Sequence, residues 1–162
     1  MIILLSLLCS AFFSGMEIAY VSSNRLNLEI EKKQKGLIPK ILSIITKDPS
    51  RFISTMLIGN SFALVIYGLF MGQFIIDYLS FLFSPSMNEL TVLLLQTIIS
   101  TLLILIAAEF IPKVLFQIYS NFSMKIFSIP AFIFYIILYP ITGLVIIISN
   151  FILKTFFKVN TD

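Results

Sequence analysis

Long uncharged runs alternate with short charged ones along this chain. Met1 to Asn24 holds a single charge, Glu17. Phe52 to Ile76 and Leu90 to Ala108 hold none, and a fourth uncharged run, Ile126 to Leu153, follows Lys125. A bilayer core is crossed by about 20 predominantly apolar helical residues. Helix is the state that satisfies a single segment's backbone hydrogen bonds in lipid. The first three runs therefore predict transmembrane helices over about 2–23, 51–80 and 89–112. A signal peptide is the alternative for the first run. It lacks the basic start and the small-x-small cleavage site that such a peptide carries.

Between the first two spans the pattern becomes amphipathic. Ile38, Ile41, Leu42 and Ile45 recur at i, i+3, i+4 and i+7, one stripe of a helix. Gly36 and Pro39 separate it from a preceding helix, Arg25 to Lys35. The pair predicts an interfacial helical hairpin over about 25–47, its apolar face toward acyl chains and its lysines toward headgroups. Asp48-Pro49 reads as N-cap and first residue of the second span. Ser84-Pro85-Ser86 reads as the turn before the third.

Composition agrees with this picture and narrows the chemistry. Of 162 residues, 59% are hydrophobic and 12% charged, against about 25% charged in soluble domains. Such a chain cannot cover its own surface with polar groups, so a soluble monomer is excluded, and so is disorder. One cysteine, Cys9, leaves no internal disulfide, and with no histidine a zinc or iron–sulfur site has no ligand set. Nothing in the chain points to nucleic acid. Seven of the 11 basic residues, Arg25, Lys32, Lys33, Lys35, Lys40, Lys47 and Arg51, lie in the first connection. None lies between Asp77 and Glu89. The positive-inside rule then predicts a cytoplasmic hairpin and an N-terminus outside. Lys154 and Lys158 follow the fourth run and also belong inside. Its 28 residues are too few for two crossings. Pro130, Pro140 and Gly143 interrupt it, which predicts a kinked helix along the inner interface over about 130–157. A plain fourth span is the alternative.

Polar groups inside the spans are the candidate chemistry, because burying them in lipid is costly. Ser10, Ser14 and Glu17 share one face of the first span. Gly59-Asn60 lies about 13 Å into the second. Glu109 lies on the third, followed by Pro112 and Lys113. Pro112 lacks an N–H and so frees the carbonyl of Ala108, beside Glu109. Each has a structural alternative: helix packing for the serines and Asn60, an i,i+4 pair for Glu109 and Lys113. Gly68 and Gly72 form a GxxxG pair suited to close helix packing. Together, Ser10, Ser14, Asn60, Glu109 and the Ala108 carbonyl offer only oxygen with one carboxylate. That set suits Mg²⁺ or a similar hard cation. An intramembrane enzyme has little support, since Ser14 has no evident base to activate it.

Three stretches carry a family resemblance. LLCSAFFSGMEIAYVSSNR ending at Arg25, DPSRFISTMLIGN from Asp48 to Asn60, and EFIPK from Glu109 to Lys113 resemble the membrane domain of the CNNM/CorC (CorB) magnesium transporters. The likeness covers nearly the whole chain. It implies an all-α membrane domain over 1–162, with three spans, the hairpin and a belt-like C-terminal helix. It implies a homodimer in a bacterial inner membrane, C-terminus cytoplasmic. The implied activity is Mg²⁺ efflux, with Na⁺ as a candidate coupling ion. Ser10, Ser14, Asn60 and Glu109 would line the ion site, with the Ala108 carbonyl where relatives often carry glycine. Glu17, Gly59, Pro112 and Lys113 would support it. Met16 departs from a frequent small or hydroxyl residue. The nucleotide-binding CBS domains expected in full-length relatives are absent from 1–162. The competing reading is a non-transporting anchor or sensor whose buried polar groups hold helices together.

Overall fold

The computed structural model of the chain describes residues 1–82 and 88–157. Helix α1 (Ile2–Ser22) ends where Ser23 becomes extended. The next residue, Asn24, starts α2 (Arg25–Lys32): its Oδ1 accepts from the N–H groups of Leu26 and Asn27 at 2.9 and 3.4 Å. Those bonds satisfy donors that a helix start leaves orphaned. Within α2, the Lys32 ammonium bonded to Glu29 holds that carboxyl below the usual carboxylate range. Gly36, at φ +146°, turns the chain into α3 (Leu37–Ile45), a conformation open to glycine and strained for other residues. Helix α4 (Pro49–Leu82) begins as the sequence predicts: Asp48 Oδ1 accepts from Arg51 N–H at 3.0 Å, and Pro49 takes the first position.

The third long helix is composite. Helix α5 (Glu89–Leu103) passes into a π-helical segment, Ile104–Phe110, and then α6 (Ile111–Ile118). The sequence expectation ends this span near Pro112, whereas the helix runs on to Ile118. The π register explains the difference. Ile111 N–H bonds to the carbonyl of Ile106, five residues back. That shift carries the helix on through Pro112, which has no N–H to give to a carbonyl of the preceding turn. Helices α7 (Ser120–Ile126), α8 (Ser128–Ile137) and α9 (Tyr139–Phe157) complete the described chain. Pro130 and Pro140 fall in first turns, so the breaks come just before them, at Phe127 and Leu138.

Three helical stretches, Ile2–Ser22, Pro49–Tyr78 and Glu89–Ile118, are long and apolar enough to cross a membrane, and α7 and α8 form a further apolar pair bent by 65°. With a helical rise of about 1.5 Å, the two 30-residue stretches reach about 45 Å, which a bilayer accommodates by tilt. Large apolar side chains such as Leu8, Leu57, Phe62, Val65 and Leu69 point outward. The protein is an all-α integral membrane protein. The Ser84-Pro85-Ser86 turn and Lys158 lie outside the described residues.

The core joins α1 and α4 to the hairpin and to α7–α8. Phe13, Met16, Ala19, Leu42, Ile45, Phe52, Met56, Met124, Ala131 and Tyr135 are buried together. This corrects one expectation. The apolar stripe of α3 does not face acyl chains: Leu42 and Ile45 are 0% exposed, and Ile38 and Ile41 pack on the same core. Helix α8 lies over that face and shields it from lipid. Polar ties reinforce the arrangement. Lys125 pairs with Glu31 at 3.0 Å, and Asn121 Oδ1 accepts from Asn24 N–H at 3.1 Å, fixing the hairpin to α7. Thr55 and Thr142 share a 3.1 Å hydrogen bond, and the Arg51 guanidinium lies 4.3 Å from the Tyr139 ring centroid, fixing α9 to α4.

Candidate functional site

Helix α1 presents Ser6, Ser10 and Ser14 at intervals of four, and all three are buried. The face is polar, yet it packs against α4, the π segment and α6. Close approach is possible because glycine occupies the crossing points. A Cβ on Gly59 would lie 2.5 Å from the Phe13 ring, and one on Gly15 would lie 2.7 Å from the Phe116 ring. Gly59 was legible in the sequence as a neighbour of Asn60. Gly15 was not singled out, although its place between Ser14 and Met16 was the available signal.

The structure joins Ser10 and Asn60 directly. Ser10 Oγ donates to Asn60 Oδ1 at 2.6 Å across 50 residues of sequence. The donation uses the one hydroxyl hydrogen and leaves lone pairs on both oxygens. Ser6 is satisfied within its helix, donating to the Ile3 carbonyl at 2.8 Å. Ser14 differs: it is 0% exposed and its Oγ has no hydrogen-bond partner among the described residues. A serine in a helix can bond its own i−4 carbonyl at little cost, so an orphaned hydroxyl in a core is unusual. Glu17, one turn further, is half-buried and makes no ion pair among the described residues.

On the third span the burial pattern singles out the same stretch as the sequence does. Between Glu89 and Ile118 only Ala108 and Pro112 are buried. Both lie where α1 packs against the π segment and α6. Helix segments with π geometry recur at functional sites, because the extra residue per turn redirects side chains and loosens carbonyls. Glu109 sits in this segment, 33% exposed. Lys113 Nζ is 4.0 Å from Glu109 Oε2, at the limit of an ion pair, with its side chain 44% exposed. At that distance the lysine does not saturate the carboxylate.

Among the described residues the GxxxG glycines do not act as a pair within the chain. A Cβ on Gly72 would meet Gln96 Nε2 of α5 at 2.8 Å, whereas nothing lies within 4 Å of one on Gly68. The described residues contain no cluster of three or more His, Cys, Asp or Glu side chains. A cation held here would therefore rely on Glu109 and neutral oxygens. A cavity of about 410 Å³ lies elsewhere, among Tyr20, Ser23, Arg25, Lys32 and Thr46 beside the hairpin.

Among curated proteins, none matches the chain at a significant level. A family model described as the cyclin M transmembrane N-terminal domain matches residues 1–162. The match spans the full length, the three long apolar helices and the EFIPK stretch that runs from the end of the π segment into α6. The chain thus belongs to the cyclin M (CNNM) family of transmembrane domains, a transporter-type family linked to divalent cations.

Proposed function

We propose that this domain exports Mg²⁺ through a site built from Ser10, Ser14, Asn60, Glu109 and the Ala108 carbonyl. The single observation that carries the reading is the Ser14 hydroxyl, fully buried and without a partner on the helix that packs against the π segment. Packing alone gives no reason for an unsatisfied hydroxyl there, and a cation would satisfy it. Ser10 and Asn60 supply lone pairs one turn away. Glu109 supplies the charge. Mg²⁺ prefers about six oxygens and gives up its waters reluctantly, so a single carboxylate with neutral oxygens leaves it partly hydrated. Partial neutralisation favours release, which transport requires.

In this reading the N-terminus is external and the hairpin and C-terminus are cytoplasmic, in a bacterial inner membrane. The belt segment over about 130–157 lies along the inner face. Two copies associate, as the resemblance to the CNNM/CorC transporters implies. Na⁺ entering down its gradient drives the export. Crosslinking in membranes tests the dimer, and a strictly monomeric species in bilayers would refute it. The decisive test is Mg²⁺ titration calorimetry together with flux into proteoliposomes, on the native chain and Glu109→Gln. Glu109→Gln should lose at least about tenfold in affinity, about 1.4 kcal/mol, with its melting temperature preserved. Unchanged affinity in that variant would falsify the site and favour an anchor whose polar groups only pack. A flux indifferent to the Na⁺ gradient would remove the coupling.

A further inference from the structure

A second group of buried polar atoms lies where α4 packs on α5, further from the hairpin than Asn60. Tyr67 of α4 is 0% exposed, inside an apolar cluster with Met71 and Ile75. Its hydroxyl reaches the Ser100 carbonyl at 3.4 Å and the Ser100 Oγ at 3.5 Å. Good O–H···O bonds are about 2.7–2.8 Å long, so this phenol is only weakly satisfied. One turn along the same face of α5, Gln96 Oε1 is buried with no partner among the described residues. Its Nε2 lies over Gly72, 2.8 Å from where a Cβ would stand, so the amide occupies space that only glycine leaves open. Tyr67 is seven residues beyond Asn60, about 10 Å further along α4.

We propose that Tyr67, Gln96 and Ser100 form a second cation station on the far side of the Ser10–Asn60 site. It rests on the transport reading above and extends it. The station offers neutral oxygens alone: a phenol, an amide carbonyl and a hydroxyl. Without a carboxylate of its own it cannot strip Mg²⁺ of its water. It instead receives an ion that keeps most of its shell and passes it outward. Two sites of unequal strength about 10 Å apart allow an ion to leave the stronger one, as multi-site conduction needs.

The test compares the native chain with Tyr67→Phe, Gln96→Leu and Glu109→Gln, each measured for Mg²⁺ affinity, for flux in proteoliposomes and for melting temperature. Tyr67→Phe and Gln96→Leu should each lower flux about tenfold, keep affinity within twofold and melt no lower than the native chain. Native flux in either variant overturns the station. So does a flux loss accompanied by matching losses of affinity and melting temperature, which marks a packing role. If Glu109→Gln abolishes binding while Tyr67→Phe and Gln96→Leu transport normally, only the station fails. If the native chain moves no Mg²⁺, or Glu109→Gln binds and transports as the native chain does, the transport reading fails and the station with it.

Discussion

Replacing Gly59 by alanine tests the close crossing of α1 and α4 that sets the Ser10–Asn60 contact. The new Cβ would lie 2.5, 2.6 and 2.7 Å from three ring atoms of Phe13. Comfortable carbon contacts are about 3.5–4.0 Å, so ring and helix must separate by about 1 Å. The ring has little room. Phe13 is 4% exposed and packs edge-on against Phe12 and Phe134, with centroids 5.4 and 4.7 Å away. Overpacking of this kind costs about 1–3 kcal/mol. Alanine also favours helix over glycine by about 1 kcal/mol, which masks part of the loss. Gly68→Ala provides the reference, since it gains the same propensity and meets no atom within 4 Å. The difference between the two variants isolates the clash at about 1–3 kcal/mol. At about 2–4 °C per kcal/mol for a chain of this size, Gly59→Ala should melt about 2–12 °C below Gly68→Ala. A separation of about 1 Å would also stretch the 2.6 Å Ser10–Asn60 bond beyond hydrogen-bonding range. Mg²⁺ affinity should therefore fall in Gly59→Ala and hold in Gly68→Ala, by calorimetry on purified protein. Equal melting temperatures and equal affinities would refute the close crossing.

Further outcomes follow from the same geometry. Ser14→Ala removes a hydroxyl that has no partner, so it should leave the melting temperature unchanged or higher while weakening Mg²⁺ severalfold; a lower melting temperature with native affinity would mark Ser14 as a packing residue. Thr142→Val breaks the 3.1 Å bond to Thr55 but leaves Thr55 bonded to the Arg51 carbonyl at 2.8 Å, so it should cost about 1 kcal/mol in thermal unfolding; a native melting temperature would show that α9 is anchored by other contacts. In a Cys9→Ala background, Ser84→Cys should react with an impermeant thiol reagent from outside and Thr161→Cys should not; reaction of both would establish a fourth crossing.

Hydropathy and charge are properties of the chain read in order, and they determined what depends on order alone. The three apolar runs became the three long helices, because a 20-residue run without charges has one stable state in lipid. Asp48-Pro49 began α4 and Gly36 broke the hairpin, since capping and positive φ are local matters. The candidate site residues were visible as polar positions out of place, and their faces followed from helical periodicity. What those faces meet depended on contacts between distant segments. Ser10 bonds Asn60, 50 residues away, and no local rule selects that partner. The α3 stripe turned to the protein core because α8 lies over it, a choice between two apolar surroundings that periodicity cannot distinguish. Gly68 and Gly72 share a face by spacing, yet only Gly72 is covered, because Gln96 of α5 reaches it and nothing reaches Gly68. The π register around Ala108 and Glu109 was visible only in the structure. Pro112 announced a break, but the packing of α1 against this stretch accompanies a helix that continues to Ile118 by shifting register instead of ending.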